Sequence, residues 1–203
     1  MSSSTRKPSR PERADIAVAE TVEPARHTAP IRFLGWLSEL ADQPPLMAIC
    51  GATLAVGVAG GDGRLARAGA RMLAAELLAT KLKSLVKHRI DRTRPFVLAE
   101  GRGYRAKRGA AHASELNSFP SGHTAGAVAV ARAYAREYPE HRKAAYAVAA
   151  GVGVIQIPRS KHFVSDVVAG AVVGLAAEQI VRGAGLLWTR WRRATRWASP
   201  ASG

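Results

Sequence analysis

Residues 64–90 read RLARAGARMLAAELLATKLKSLVKHRI. Leu65, Ala68, Met72, Leu73, Leu77, Leu78, Leu82 and Leu85 recur mostly at three- and four-residue intervals, the period of a helix with one apolar stripe. Arg67, Arg71, Glu76, Lys81 and Lys83 are spread among them. A lone lipid-facing helix does not carry such charges in its middle without a large cost. They must turn toward other helices or snorkel out from the ends. The stretch therefore predicts a long helix inside a bundle.

Working outward, the neighbouring segments supply that bundle. PLMAICGATLAVGVAGG (45–61) carries no charge and, at 17 residues, lies at the lower edge of a membrane span. IRFLGWLSELADQ (31–43) has helical spacing but is short for a span, and Asp42 to Pro45 break it. Residues 91–119 read as a Gly- and Arg-rich loop. Three apolar runs follow: SGHTAGAVAVARAYAREY (121–138), AAYAVAAGVGVIQI (144–157) and FVSDVVAGAVVGLAAEQIV (163–181). Gly170 and Gly174 in the last form a small-xxx-small pattern that lets helix backbones approach. No strand pattern stands out. The expected fold is all-α, a membrane-embedded bundle of about six helices with its site at one membrane face.

Composition sets outer bounds. The 203 residues suffice for one domain, and 47% are hydrophobic, mostly Ala and Val rather than aromatic. Mean hydropathy is −0.06, low for an integral membrane protein, partly because both ends are polar. Residues 1–29 lack the apolar core of a signal peptide and read as a disordered tail. Residues 30–188 form the helical domain, and 189–203 a tail alternating Trp with Arg, suited to a headgroup boundary. The net charge of +15 fits a nucleic acid, an anionic membrane surface or a phosphate-bearing substrate. The basic residues flank apolar spans and no recognition helix or stacking motif appears, so a nucleic-acid partner is not expected. The single cysteine, Cys50, reads as a small buried hydrophobe.

Three segments, 87–95, 120–123 and 159–166, hold the unusual polar residues. Each lies at or just beyond the end of an expected helix, and an up-and-down chain course brings all three to one face. Lys87, Arg94 and also Arg92 offer cationic donors for a phosphate. Ser121 and Gly122 open a helix whose free N–H groups and dipole favour an anion. His162 and Asp166 are four apart, so Asp166 can accept the imidazole N–H and fix its tautomer. That makes His162 a competent nucleophile and leaves His123 to act as proton donor. Nothing in this set looks like a metal cage.

These segments resemble the signature of the phosphatidic acid phosphatase type 2 and vanadium-dependent haloperoxidase superfamily: Lys-x6-Arg-Pro, Pro-Ser-Gly-His and Ser-Arg-x5-His-x3-Asp. Lys87, Arg94 and Pro95 match the first motif, Pro120 to His123 the second, and His162 with Asp166 the end of the third. The resemblance implies a lipid phosphate monoesterase or diphosphatase working without metal or cofactor, through a phosphohistidine on His162 oriented by Asp166. His123 would protonate the leaving group, and Lys87, Arg94, Ser121 and Gly122 would hold the phosphoryl oxygens. It also implies an integral, multi-pass protein of the cell membrane. One position departs from the pattern: the third-motif arginine falls on Gln156, with Arg159 three residues before His162 as its possible substitute. An alternative is thus a catalytically weak member that binds lipid or serves as a structural membrane subunit. The substrate, the oligomeric state and the side of the membrane that the site faces stay open.

Overall fold

A computed structural model of the chain describes residues 7–109 and 113–197. Among the described residues there are eight α-helices: α1 (Arg10–Val22), α2 (Ala29–Ser38), α3 (Gln43–Ala59), α4 (Gly63–Lys87), α5 (Pro95–Ala99), α6 (Gly122–Glu137), α7 (Arg142–Ile155) and α8 (Val164–Trp197). The stripe in residues 64–90 does form one helix. Asp62 caps it by accepting from the N–H groups of Arg64 and Leu65. Ala68, Met72, Ala75 and Ala79 of α4 pack with Cys50 of α3, Ala129 and Ala133 of α6 and Ala177 of α8. These small side chains let the four backbones approach closely.

Gly170 and Gly174 decide the α6–α8 crossing. A Cβ on Gly170 would lie 2.5 Å from the carbonyl oxygen of Ser121, and one on Gly174 would collide with that of Ala125. Gly174→Val is therefore expected to push α8 off α6 and destabilise the fold by about 1–3 kcal/mol, the usual cost of overpacking. A thermal unfolding midpoint equal to wild type would contradict this.

Only α8 is long and apolar enough to cross a membrane among the described residues. At 34 residues it extends to roughly 51 Å at 1.5 Å per residue. It runs on through Trp188 and Trp191 to Trp197, so the expected boundary at 188/189 falls inside one helix. Residues 198–203 lie outside the described residues.

Three further expectations need correction. The segment read as a disordered tail contains α1, held by a capping box in which the Ser9 N–H donates to Glu12 at 2.7 Å. Asp15 of α1 is buried in the body of the protein, where it pairs with Arg92 at 2.8 Å, a long-range contact that its polar composition concealed. Residues 1–6 lie outside the described residues. The loop 91–119 contains an antiparallel pair, β1 (Ile90–Arg92) with β2 (Ala106–Arg108), register Asp91 opposite Lys107. Three-residue strands are too short to show alternation. Finally, the helix read at 31–43 ends at Ser38, and Pro44 and Pro45 open α3 instead of merely closing α2.

Candidate active site

Four helix ends meet on one side of the bundle: the C-terminus of α4, the N-termini of α6 and α8, and the turn after α7. Arg64, at the start of α4, marks the opposite end by bonding the Glu137 carbonyl and Glu140. At the first end Ser121 caps α6, its hydroxyl accepting from the Thr124 N–H at 3.4 Å and from the Thr124 hydroxyl at 3.0 Å. The Ser121 N–H donates to the Asp166 carbonyl at 3.0 Å, tying the starts of α6 and α8 together. Ser121 is fully buried, so its side chain acts here as a helix cap.

His162 is buried at the end of the turn before α8. Its Nδ1 lies 2.7 Å from the Ser118 carbonyl oxygen and 3.8 Å from Asp166 Oδ2. A carbonyl only accepts, so Nδ1 carries the proton and Nε2 keeps its lone pair. The expected direct His162–Asp166 hydrogen bond is therefore replaced by a relay. Asp166 Oδ2 accepts from the Ser118 hydroxyl at 2.5 Å and from the Phe163 N–H at 2.8 Å. The pair misses helical i, i+4 geometry because α8 starts only at Val164.

Arg92, read as one of the cations open to a phosphate, is instead buried against carboxylates. Its guanidinium donates to Asp166 Oδ1 at 2.5 Å, to Asp15 Oδ2 at 2.8 Å and to the Ser165 hydroxyl at 2.7 Å. It thus partly offsets the charge of Asp166 beside the ring of His162. Lys87 and Arg94 stay near the ring. Lys87 Nζ lies 3.0 Å from the Asn117 carbonyl, and Arg94 Nε 2.8 Å from that of Ser114. Neither has an ion pair among the described residues, so both keep charge and donors for an anionic ligand.

Burial pushes the His162 pKa down to about 4; Asp166 pulls it up, while Arg94 and Lys87 lower it further. The ring is therefore neutral, as a nucleophile must be, throughout the physiological range. A histidine NMR titration is expected to place its midpoint near pH 4; a midpoint near 6.5 would contradict the buried setting. The sign for stability follows from the lowered value. The contribution is complete above the ordinary value of 6.5 and is lost as the pH falls through about 4, because the unfolded chain takes up the proton first.

His123 sits in the first turn of α6 with Nε2 3.5 Å from Glu39 Oε2 and no hydrogen bond on that nitrogen. Arg159 also turns to Glu39. Its guanidinium pairs with Glu39 Oε1, donates to the Ser38 hydroxyl at 2.7 Å and reaches Gln156 Oε1 at 3.3 Å. Arg159 is thereby drawn to the His123 side of the site, where it pairs with Glu39. Burial opposes ionisation of Glu39, but the hydrogen bond and charge of Arg159 outweigh it and hold its pKa below the ordinary value. Gln156 is fully buried and donates to Ser38 and the Val152 carbonyl, so it props this corner. Ser160, at φ 54°, turns the chain between Arg159 and His162. Glu39, Asp42 and His123 place their ligand atoms within 4.8 Å of one another, the group of described residues able to hold a metal ion. The sequence reading did not anticipate this trio, and the pairing of Glu39 with Arg159 competes with any cation there.

Beside this corner an apolar cavity of about 1230 Å³ runs between α2, α3, α6 and α7. Leu34, Leu37, Leu46, Ile49, Val130 and Val152 line it, with Ser38 and Ile155 also in the lining.

A helical bundle that gathers a neutral buried histidine, a second histidine at a helix start and two unpaired cations has the architecture of the PAP2 superfamily. The chain belongs to that superfamily, whose family model matches residues 68–191. Among solved structures it is similar to the transmembrane PAP2-type phosphatidylglycerolphosphate phosphatase of Bacillus subtilis, at 22% identity and TM-score 0.57, with 87% of each chain covered. It is also similar to LpxE of Aquifex aeolicus, at 22% identity and TM-score 0.60, covering 83% of this chain and 94% of the other. At that identity the likeness concerns the fold. A lipid A 1-phosphatase of Porphyromonas gingivalis is 41% identical over 68 residues, which is 32% of this chain and 15% of the relative's length.

Proposed function

We propose that this protein is a membrane-embedded lipid phosphatase that hydrolyses a phosphate monoester or diphosphate without metal, through a phosphohistidine on His162. The observation that carries the reading is the neutral His162 ring, fixed as the Nδ1–H tautomer by Ser118, facing cations beside the α6 N-terminus. Nε2 attacks phosphorus as the ester oxygen departs, and His123 delivers a proton to that oxygen. Water then attacks the phosphohistidine, His123 takes its proton, and phosphate leaves with His162 regenerated. Lys87, Arg94, Gly122 and the capped end of α6 hold the equatorial oxygens, where positioning and electrostatics do most of the catalysis. Asp166 acts through Ser118, keeping the carbonyl that orients His162 in place.

Several features support a lipid substrate. The apolar cavity is lined in part by Ser38, next in the chain to Glu39, and its volume suits a hydrocarbon chain. Val56, Val148, Val154, Val168, Val172 and Ile180 point outward from the bundle, as they would into lipid. The named relatives are phosphatases of phosphatidylglycerolphosphate and of lipid A, and both are consistent with such a substrate. On this reading α8 crosses the bilayer with the shorter core helices packed around it, and its basic end with Trp188 and Trp191 lies at the headgroup boundary. On this reading the catalytic unit comprises residues 10–188, since α1 contributes Asp15.

The test is phosphate release in EDTA by detergent-purified protein, offered phosphatidic acid, phosphatidylglycerolphosphate, a lipid A 1-phosphate and a polyprenyl diphosphate. Release from at least one is expected. Release that needs an added divalent cation would assign Glu39, Asp42 and His123 to a metal and end the metal-free reading. No release under either condition would favour a lipid-binding or structural role.

A further inference from the structure

Glu76, Thr80, Lys83 and Lys87 lie four, three and four residues apart on α4 and form one stripe facing α6. The stripe meets α6 at its two glycines. A Cβ on Gly126 would lie 2.6 Å from Glu76 Oε2, and one on Gly122 would lie 3.2 Å from Lys83 Nζ. Glu76 is buried, with Thr80 donating to Oε1 and no partner on Oε2. The Lys83 side chain is half-buried and lies along the first residue of α6, where the N–H groups of a helix start are free. Among the described residues it makes no hydrogen bond or ion pair, and its charge is felt by Lys87 one turn further on. Two ammonium groups so placed repel each other. Both are stabilised by an anion at the α6 N-terminus, and a phosphoryl group between His162 and Gly122 meets that requirement.

We propose that Lys83 is a phosphate-binding residue of this site, contacting the oxygens of the transferred phosphoryl group from below the start of α6. The proposal rests on the phosphatase reading above. It also explains how the site keeps a third cation although position 156 is glutamine and Arg159 is committed to Glu39. Thr80 and Glu76 continue the stripe inward and give Lys83 a polar neighbourhood in an otherwise apolar bundle.

The test compares wild type, Lys83→Met and Lys83→Arg on whichever lipid phosphate the wild type hydrolyses, with inorganic phosphate as competitive inhibitor. Lys83→Met is expected to lower kcat/KM about 10- to 100-fold, the range for one charged contact to phosphate. It should weaken inhibition by inorganic phosphate about tenfold and leave the unfolding temperature unchanged or raised, since a like-charge repulsion is removed. Lys83→Arg should recover most of both. Wild-type kcat/KM and inhibition in Lys83→Met would overturn the proposal, as would a fall in unfolding temperature with inhibition unchanged. Should the Met variant fail to fold, acylation of the wild-type lysines followed by mass spectrometry decides. Inorganic phosphate must protect Lys83 relative to the exposed Lys81, and equal labelling would reject the contact. If the wild type releases no phosphate from any lipid, the phosphatase reading has failed, and the labelling still decides whether Lys83 meets phosphate.

Discussion

His162→Ala is expected to abolish phosphate release, lowering kcat by about four to six orders of magnitude. The size follows from the role. Alanine removes the only atom that attacks phosphorus in the proposed scheme, and the remaining cations bind a substrate they cannot turn over. Stability should fall too, by about 1–3 kcal/mol, because the buried Ser118 carbonyl loses its donor, but a folded protein with that loss would still bind substrate. The intermediate offers a second measurement. A rapid quench of the wild type with radiolabelled substrate should trap an acid-labile, base-stable phosphoryl group, and the variant should trap none. Turnover by the alanine protein at the wild-type rate would remove His162 from the chemistry and return the choice of nucleophile to His123.

Arg92→Met is expected to cost about 3–5 kcal/mol in stability, the penalty for breaking a buried ion pair from one side. The guanidinium lies between Asp15 and Asp166, all three almost without solvent exposure. Methionine fills much of the volume but leaves two buried carboxylates without a counter-charge. Activity should fall as well, because Asp166 uses the Ser118 hydroxyl to hold the segment whose carbonyl orients His162. The contrast is Asp15→Asn, which keeps the Arg92–Asp166 pair and should cost much less. Denaturant unfolding in detergent measures both. Arg92→Met with wild-type stability would show that the network is better solvated than its burial indicates.

The proposed reactive residues are legible in the sequence because residue type and spacing single them out. Lys87, Arg94, Ser121, Gly122, His123 and His162 are polar groups at helix ends, and the order of apolar runs places those ends together. The long helix α4 was equally plain, since its stripe runs unbroken from Leu65 to Leu85. What escaped the sequence is what acts at long range or through the backbone. Ser118 contributes a carbonyl, which leaves no trace in side-chain patterning. Asp15 meets Arg92 across 77 residues and Ser165 across 150, and nothing local in a polar segment signals such a contact. Glu39 sat inside an apparently continuous apolar helix, and only the break at Ser38 turns it toward His123. Arg92 and Arg159 were recognised as cations, but the carboxylates that occupy them were not, so their roles changed. Lys83 was visible as a charge in the apolar stripe; its direction depended on Gly122 at the start of α6, which no local rule reveals.

The placement of Asp15 bears on how the protein is made. Ribosomes deliver α1 first and α8 last, yet the Arg92 guanidinium needs a carboxylate from each. Until Asp166 arrives, Arg92 has one partner, and His162 has no settled orientation. The nascent chain therefore carries an unfinished, inert site through most of its synthesis. In the proposed scheme His162 takes its orientation only when the first helix and the last have closed on the same arginine, so a chain arrested before α8 should persist as an inactive product rather than a slow enzyme.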